Sequence, residues 1–329
     1  MTNNISSSFT TNIQVGVADL KIFSGLCSAC TVILYVVTVS VNVIVFFVIM
    51  LKNLHEPMHL FFSNLLLNGI IVSSVLLPKL TIDILSENKT ISPFGCYFQI
   101  FFIHIFVFNE QIILCVMAYD RYIAICNPLR YSQIMTSAQI FRLILFSWFF
   151  SIFACAVGIT LCTRQPLCSF VIEKPFCDYY SVVKLLCSVE SFYNYYALFA
   201  TVITTAVPTA IILYSYIKII QICLQKSKES NWKAFQTCFT HLLLFVIYVT
   251  GILFTFIQNR LPPKSVPQGL NAFLSLECLM VPPLANPVVY GLRTKQIRST
   301  VSMLFAQFIR KTFTDKYSTT NITLIRDKQ

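Results

Sequence analysis

Long uncharged apolar runs alternate with short polar ones along the chain. Between Lys21 and Lys52 lie 30 uncharged residues, and similar runs separate Glu56 from Lys79 (22), Lys89 from Glu110 (20), Arg142 from Arg164 (21), Glu190 from Lys218 (27) and Lys233 from Arg260 (26). About 20 apolar residues carry a helix across the hydrocarbon core of a bilayer. Six segments meet that length outright. A seventh, Ser265–Leu292, meets it with one intramembrane charge, Glu277. Helices are the open-chain structures that satisfy every backbone hydrogen bond in lipid. The pattern therefore predicts an all-α membrane protein, a bundle of seven transmembrane helices.

Composition agrees. Of 329 residues 56% are hydrophobic and 11% charged, against about a quarter charged in soluble proteins. A soluble enzyme and a disordered chain are both excluded by that deficit. The net charge of +11 is informative through its placement. The N-terminus and the alternate connections on its side hold eight of the 24 Lys and Arg, and the opposite side holds sixteen. The positive-inside rule puts the C-terminus in the cytoplasm and the N-terminus outside. The charge is thus an inner-leaflet effect, with no nucleic-acid partner implied. The expected organisation is an extracellular N-terminus (1–24), the bundle (25–292), an amphipathic membrane-surface eighth helix (293–310) and a cytoplasmic tail (311–329). In the eighth helix, Arg293, Lys295, Arg298 and Arg310 alternate with Ile297, Val301, Leu304, Phe305 and Phe308, which suits an anionic lipid surface.

Residues 1–12 are polar and lack the basic region and cleavage site of a signal peptide. Asn4 and Asn88 open glycosylation sequons on the external side, while an equal match at Asn321 falls inside. Nine of thirteen cysteines lie in or beside the spans, where a small packing residue is the default reading. Cys96, Cys168, Cys177 and Cys187 are external, in an oxidising compartment. Four cysteines permit three pairings, and spacing does not choose between them. Zinc is the weaker alternative, because neither Cys-x-x-Cys nor paired His occurs there.

Chemistry-bearing motifs sit at the ends of the spans. The third ends Met117-Ala118-Tyr119-Asp120-Arg121-Tyr122-Ile123-Ala124-Ile125-Cys126-Asn127-Pro128-Leu129-Arg130-Tyr131. The second opens Pro57-Met58-His59-Leu60-Phe61-Phe62-Ser63-Asn64-Leu65, and the sixth opens Lys233-Ala234-Phe235-Gln236-Thr237-Cys238-Phe239-Thr240-His241-Leu242. The seventh closes Pro283-Leu284-Ala285-Asn286-Pro287-Val288-Val289-Tyr290-Gly291-Leu292-Arg293. Together these strings resemble odorant (olfactory) receptors of the rhodopsin-like G-protein-coupled family, over roughly residues 20–300. The stretch Asn64–Asn68 looks more like the fish-type members.

The resemblance implies a G-protein switch of Asp120, Arg121, Tyr122, Tyr216 and Tyr290. An isolated Arg121 would read as a side chain snorkelling to the headgroups, and the flanking string favours the switch. Pro287 frees a backbone carbonyl, which is costly in lipid unless a polar group compensates. Asn42 is the second costly polar residue, so a shared network of Asn42, Asn286 and Pro287 is expected. Gly69 stands where most rhodopsin-like receptors carry a sodium-binding aspartate. Glu110 is the nearest replacement and a candidate sodium site, weighed against a protonated, hydrogen-bonded acid. No other cofactor is implied. Tyr248 is the nearest aromatic to the ligand-responsive toggle, shifted by one position.

The resemblance also implies the pairs Cys96–Cys177 and Cys168–Cys187. A ligand pocket is expected between the outer halves of helices three, five, six and seven. Counting turns places Ile103, His104, Val107, Thr201, Thr204, Leu253, Phe256, Leu276 and Met280 on its wall, with Tyr248. His104 is the member able to hydrogen-bond or, less readily, to hold a metal. Glu277 reads either as a partner of a cationic ligand or as a structural hydrogen-bonding group, and the second is preferred. The implied function is an odorant receptor that activates a stimulatory olfactory-type G protein, raises cyclic AMP and resides in the plasma membrane of sensory cilia. A receptor for amines or peptides is the alternative within this architecture. A transporter or channel would show inverted repeats or broken helices; the sequence has no repeat, and its clear helix interruptions are the receptor-like prolines. No nucleophile–base pair or ligand cluster supports an enzyme.

Overall fold

The structure, a computed structural model, describes residues 12–16, 24–52, 56–188, 191–225, 228–258, 268–293, 296–303 and 306, with backbone alone for 191, 228–241, 268–271 and 292–293. The Asn4 sequon and the tail 311–329 lie outside the described residues, as do Lys295, Leu304, Phe305, Phe308 and Arg310.

Among the described residues, the bundle comprises α1 (Ser24–Leu51), α2 (Pro57–Leu85), α3 (Pro93–Cys126), α4 (Ser137–Thr163), α5, α6 (Lys228–Gln258) and α7 (Gln268–Arg293). The fifth helix is composite: Ser191–Thr201, a π turn Val202–Ala206, then Val207–Leu224. Six of these are long and apolar enough to cross a membrane, and α6 adds the apolar stretch Leu242–Gln258. Their starts follow local chemistry. Pro57 and Pro93 open α2 and α3, where a missing N–H costs nothing. Ser92 and Thr136 cap α3 and α4 by accepting from Gly95 N (3.1 Å) and Gln139 N (3.3 Å).

Burial is inverted relative to a soluble protein. On α4 the buried residues include Ser147, Ser151, Cys155, Gly158 and Cys162, one small residue per turn, while Phe149 and Phe153 face outward. Without a hydrophobic drive between helices in lipid, close approach of small residues supplies the packing. Helix α3 is central, packed against α2, α4, α5 and α6. Trp148 Nε1 on α4 donates to Asn64 Oδ1 on α2 at 3.0 Å.

The external face carries a small sheet that the hydrophobic pattern does not announce. Strand β1 (Ile13–Val15) lies between β2 (Thr90–Ile91), antiparallel, and β3 (Val171–Ile172), parallel. Three alternating residues are too short a signal to read as a strand. Gly16 follows because a Cβ there would stand 2.3 Å from the Glu173 carbonyl oxygen.

Candidate functional site

The loop between α4 and α5 forms a lid. A disulfide joins Cys96, at the top of α3, to Cys177, and a second joins Cys168 to Cys187. Beside the first, Cys177 N donates to Gln99 Oε1 at 2.8 Å. Within the lid, Asp178 caps the short helix Tyr179–Val183, accepting from Ser181 N at 2.9 Å, and forms a buried ion pair with Lys174. Burial alone would raise the Asp178 carboxyl. The Lys174 charge, with hydrogen bonds from Lys174 and Ser181, overrides it and holds the carboxyl below the usual aspartate range.

Beneath the lid lies a cavity of about 140 Å³ between α3, α4, α5, α6 and α7. An apolar cavity of about 150 Å³ holds a benzene-sized molecule, so this one has room for a single molecule of about that size. Ile103, His104, Val107, Thr201 and Phe256 line it. The other counted positions fall elsewhere, for separate reasons. Thr204 sits in the π turn, whose i→i+5 pattern breaks the 3.6-residue count taken outward from Pro208. Its hydroxyl donates to the Ala200 carbonyl at 2.7 Å, and Thr205 reaches the cavity. Leu253 faces lipid at 52% exposure, and its neighbour Ile252 turns inward. Leu276 and Met280 pack toward Leu77, Leu80 and Ile84 of α2, leaving Cys278 and Leu279 on the cavity wall. Tyr248 is fully buried outside the cavity lining, and its hydroxyl donates to the Val107 carbonyl, tying α6 to α3.

Glu277 does not line this cavity. It borders a second, lipid-side cavity of about 630 Å³ walled by α1, α2 and α7. Its Oε2 lies 2.7 Å from where a Cβ of residue 251 would stand, so Gly251 makes room for it.

Toward the membrane centre, Glu110 accepts from Asn286 Nδ2 at 2.7 Å and from Asn68 Nδ2 at 3.0 Å. This places α2, α3 and α7 around one carboxyl. Asn42 is not bonded to it. Instead Asn42 Nδ2 donates to the Pro283 carbonyl at 2.8 Å, the group that Pro287 leaves without an N–H. Asn68, which precedes Gly69 in the sequence, is the member that the expected network did not include. A Cβ on Gly69 would stand 3.2 Å from Pro283 Cβ, so α7 occupies the space an aspartate there would need.

At the cytoplasmic side, Asp120 is buried and accepts from the Tyr131 hydroxyl at 2.9 Å. Among the described residues no ion pair joins it to Arg121, because neighbours at i and i+1 on a helix diverge. Arg121 Nε is buried without a hydrogen-bond partner. Tyr216 and Tyr290 share one buried cluster with Met117 and Tyr248, and the Tyr290 ring lies 4.4 Å from Phe62. Tyr122 packs against the cluster's edge. Asn88 is exposed in the turn before β2. Among the described residues, no group of three or more His, Cys, Asp or Glu is placed to hold a metal ion.

A seven-helix bundle with a tethered external lid over a small cavity defines a membrane receptor of the G-protein-coupled class. The sequence profile of the Olfactory receptor family matches residues 30–308. Olfactory receptor 52K1 of Homo sapiens is 34% identical over 261 residues, covering 77% of this chain and 81% of that protein. Olfactory receptor 10A3 of Homo sapiens is 33% identical over 276 residues, covering 83% and 87%. Olfactory receptor 1078 of Rattus norvegicus is 35% identical over 271 residues, covering 81% and 80%. The chain belongs to the olfactory receptor family. It is a multi-pass membrane receptor for small molecules that couples to a G protein, and not an enzyme.

Proposed function

We propose that an odorant binds in the cavity beneath the lid and shifts the population of the receptor toward a state that activates the stimulatory olfactory-type G protein, raising cyclic AMP in sensory cilia. A ligand achieves this only by binding the active state more tightly. The observation that carries the reading is the cavity itself, closed above by a disulfide-tethered loop and lined by α3, α5, α6 and α7. Below it, the Tyr248–Val107 bond links the cavity wall to the cluster holding Tyr216 and Tyr290. In this reading, Asp120, Arg121, Tyr122, Tyr216 and Tyr290 form the switch, and the Asp120–Tyr131 bond holds the resting state. Asn88 carries a glycan.

A sodium ion at Glu110 belongs to the same proposal. Asn42 Oδ1 and Asn68 Oδ1 are buried acceptors without partners, and with the Glu110 carboxyl they offer the oxygen donors a hard cation takes. A bound sodium would supply a positive charge that favours the resting packing of α2, α3 and α7. Expression with an olfactory G protein and a broad odorant panel tests the whole. Ligand-evoked cyclic AMP without intrinsic current is expected, and an intrinsic current would defeat it. Replacing sodium by choline should raise basal signalling in wild type but not in Glu110→Gln. Equal responses of both receptors would remove the ion.

A further inference from the structure

The polar groups around the cavity are mostly spent. Thr201 and Thr255 donate their hydroxyl protons to the Ala197 and Gly251 carbonyls at 2.8 and 2.9 Å. Tyr196 donates to the Ala154 carbonyl, and Ser275 to Gln258 Oε1 at 3.0 Å. Asp178, the carboxylate on the wall, is engaged by Lys174 and Ser181, so the pair brings little net charge to a ligand. Glu277 borders the other cavity.

His104 differs. Its Nδ1 lies 2.9 Å from the Ile100 carbonyl, and a carbonyl oxygen can only accept. Nδ1 therefore carries the proton, and the neutral ring keeps Nε2 as an acceptor. The threonine oxygens, having donated, also retain lone pairs. The wall thus offers acceptors at His104 Nε2 and the threonine oxygens, and donors in the Tyr179 and Tyr180 hydroxyls, which have no partner, among the rings of Phe108, Tyr179 and Tyr196.

Resting on the pocket assignment above, we propose that this receptor selects uncharged small molecules with one hydrogen-bond donor, alcohols and phenols, whose hydroxyl proton goes to His104 Nε2. An ether, aldehyde or ketone can accept from a tyrosine hydroxyl but leaves His104 Nε2 unpaired, whereas an alcohol serves both. A carboxylate meets lone pairs and the carboxylate of Asp178. Among the described residues of the wall, an ammonium finds no free carboxylate. A site built to hydrogen-bond a hydroxyl discriminates against analogues lacking it, because a buried polar group is then left unpaired.

The test uses the full-length receptor with a cyclic AMP reporter. Alcohols with benzyl, cyclohexylmethyl and hexyl skeletons are each compared with the corresponding methyl ether, aldehyde, carboxylic acid and amine. The alcohol of at least one skeleton should exceed its ether and aldehyde in potency by about tenfold, one good hydrogen bond. In His104→Phe that gap should shrink to about twofold or less, while His104→Gln, which keeps an acceptor, retains part of it. An ether, aldehyde, acid or amine that matches the alcohol overturns the inference. So does a gap that survives in His104→Phe, or a surface-expressed receptor that answers none of the alcohols. Ala200→Phe, which fills the cavity, separates the two claims. Responses that survive it place the ligand elsewhere and defeat the pocket assignment. Responses lost in Ala200→Phe with the gap intact in His104→Phe defeat the donor rule alone.

Discussion

Asn42→Ala isolates how this bundle tolerates proline in α7. Pro287 has no N–H for the carbonyl four residues back, and its ring crowds that carbonyl. The freed group, Pro283 O, accepts from Asn42 Nδ2 at 2.8 Å across the α1–α7 interface. Interhelical side-chain hydrogen bonds in membranes average about 0.6 kcal/mol, but a buried carbonyl left bare costs about 1–3 kcal/mol. The second figure governs, since Pro283 O has no N–H in its own helix to turn to. The purified receptor in detergent should therefore lose roughly 2–10 °C of thermal midpoint on Asn42→Ala. Pro287→Ala restores an N–H to the same carbonyl. In the Asn42→Ala background it should recover about 1 kcal/mol, a coupling that a double-mutant cycle reads directly. Independent, additive losses would refute the pairing of that donor with that carbonyl, whatever the size of each single effect.

Gly69→Ala should cost about 1–3 kcal/mol by overpacking against Pro283, and Gly69→Asp more, because a second carboxylate would join Glu110. Surface expression ordered wild type, Ala, Asp checks this. Cys96–Cys177 closes a separation of 81 residues and Cys168–Cys187 one of 19. The loop-entropy relation then predicts losses of about 4.5 and about 3 kcal/mol for the respective serine variants, measured by thermal inactivation of the receptor. The Asp178 carboxyl is depressed in the folded lid, so its contribution is present above the ordinary aspartate value of 3.8 and is lost as pH falls below it. Lid protection against protease should therefore be flat between about pH 5 and 8, and Asp178→Asn should weaken it throughout. A midpoint near pH 6 would contradict the pairing with Lys174.

Much of this architecture was legible in one dimension because lipid is a uniform solvent. Each span must be apolar, helical and about 20 residues long, so charge-free runs predict six helices, a seventh follows once Glu277 is allowed inside it, and Lys and Arg orient them. The cost of a buried acid or a proline is likewise a local quantity. Glu110, Asn42 and Pro287 stood out for that reason, before any partner was known. Partners are another matter. That Glu110 takes Asn68 and Asn286 while Asn42 takes the Pro283 carbonyl depends on how α1, α2, α3 and α7 lie side by side, and helical periodicity carries no such information. Nor does it carry rotation about each axis. One π turn moves the cavity position from Thr204 to Thr205, and packing against α2 removes Leu276 and Met280 from the wall. Composition and span length determined that this chain is a seven-helix membrane protein, and its motif strings carried the likeness to odorant receptors. Tertiary packing alone decided which side chains meet in the cavity, because neighbouring helices set each helix's rotation; the Ile100 carbonyl that fixes the His104 tautomer lies one turn back on the same helix, and packing only brings that ring to the wall.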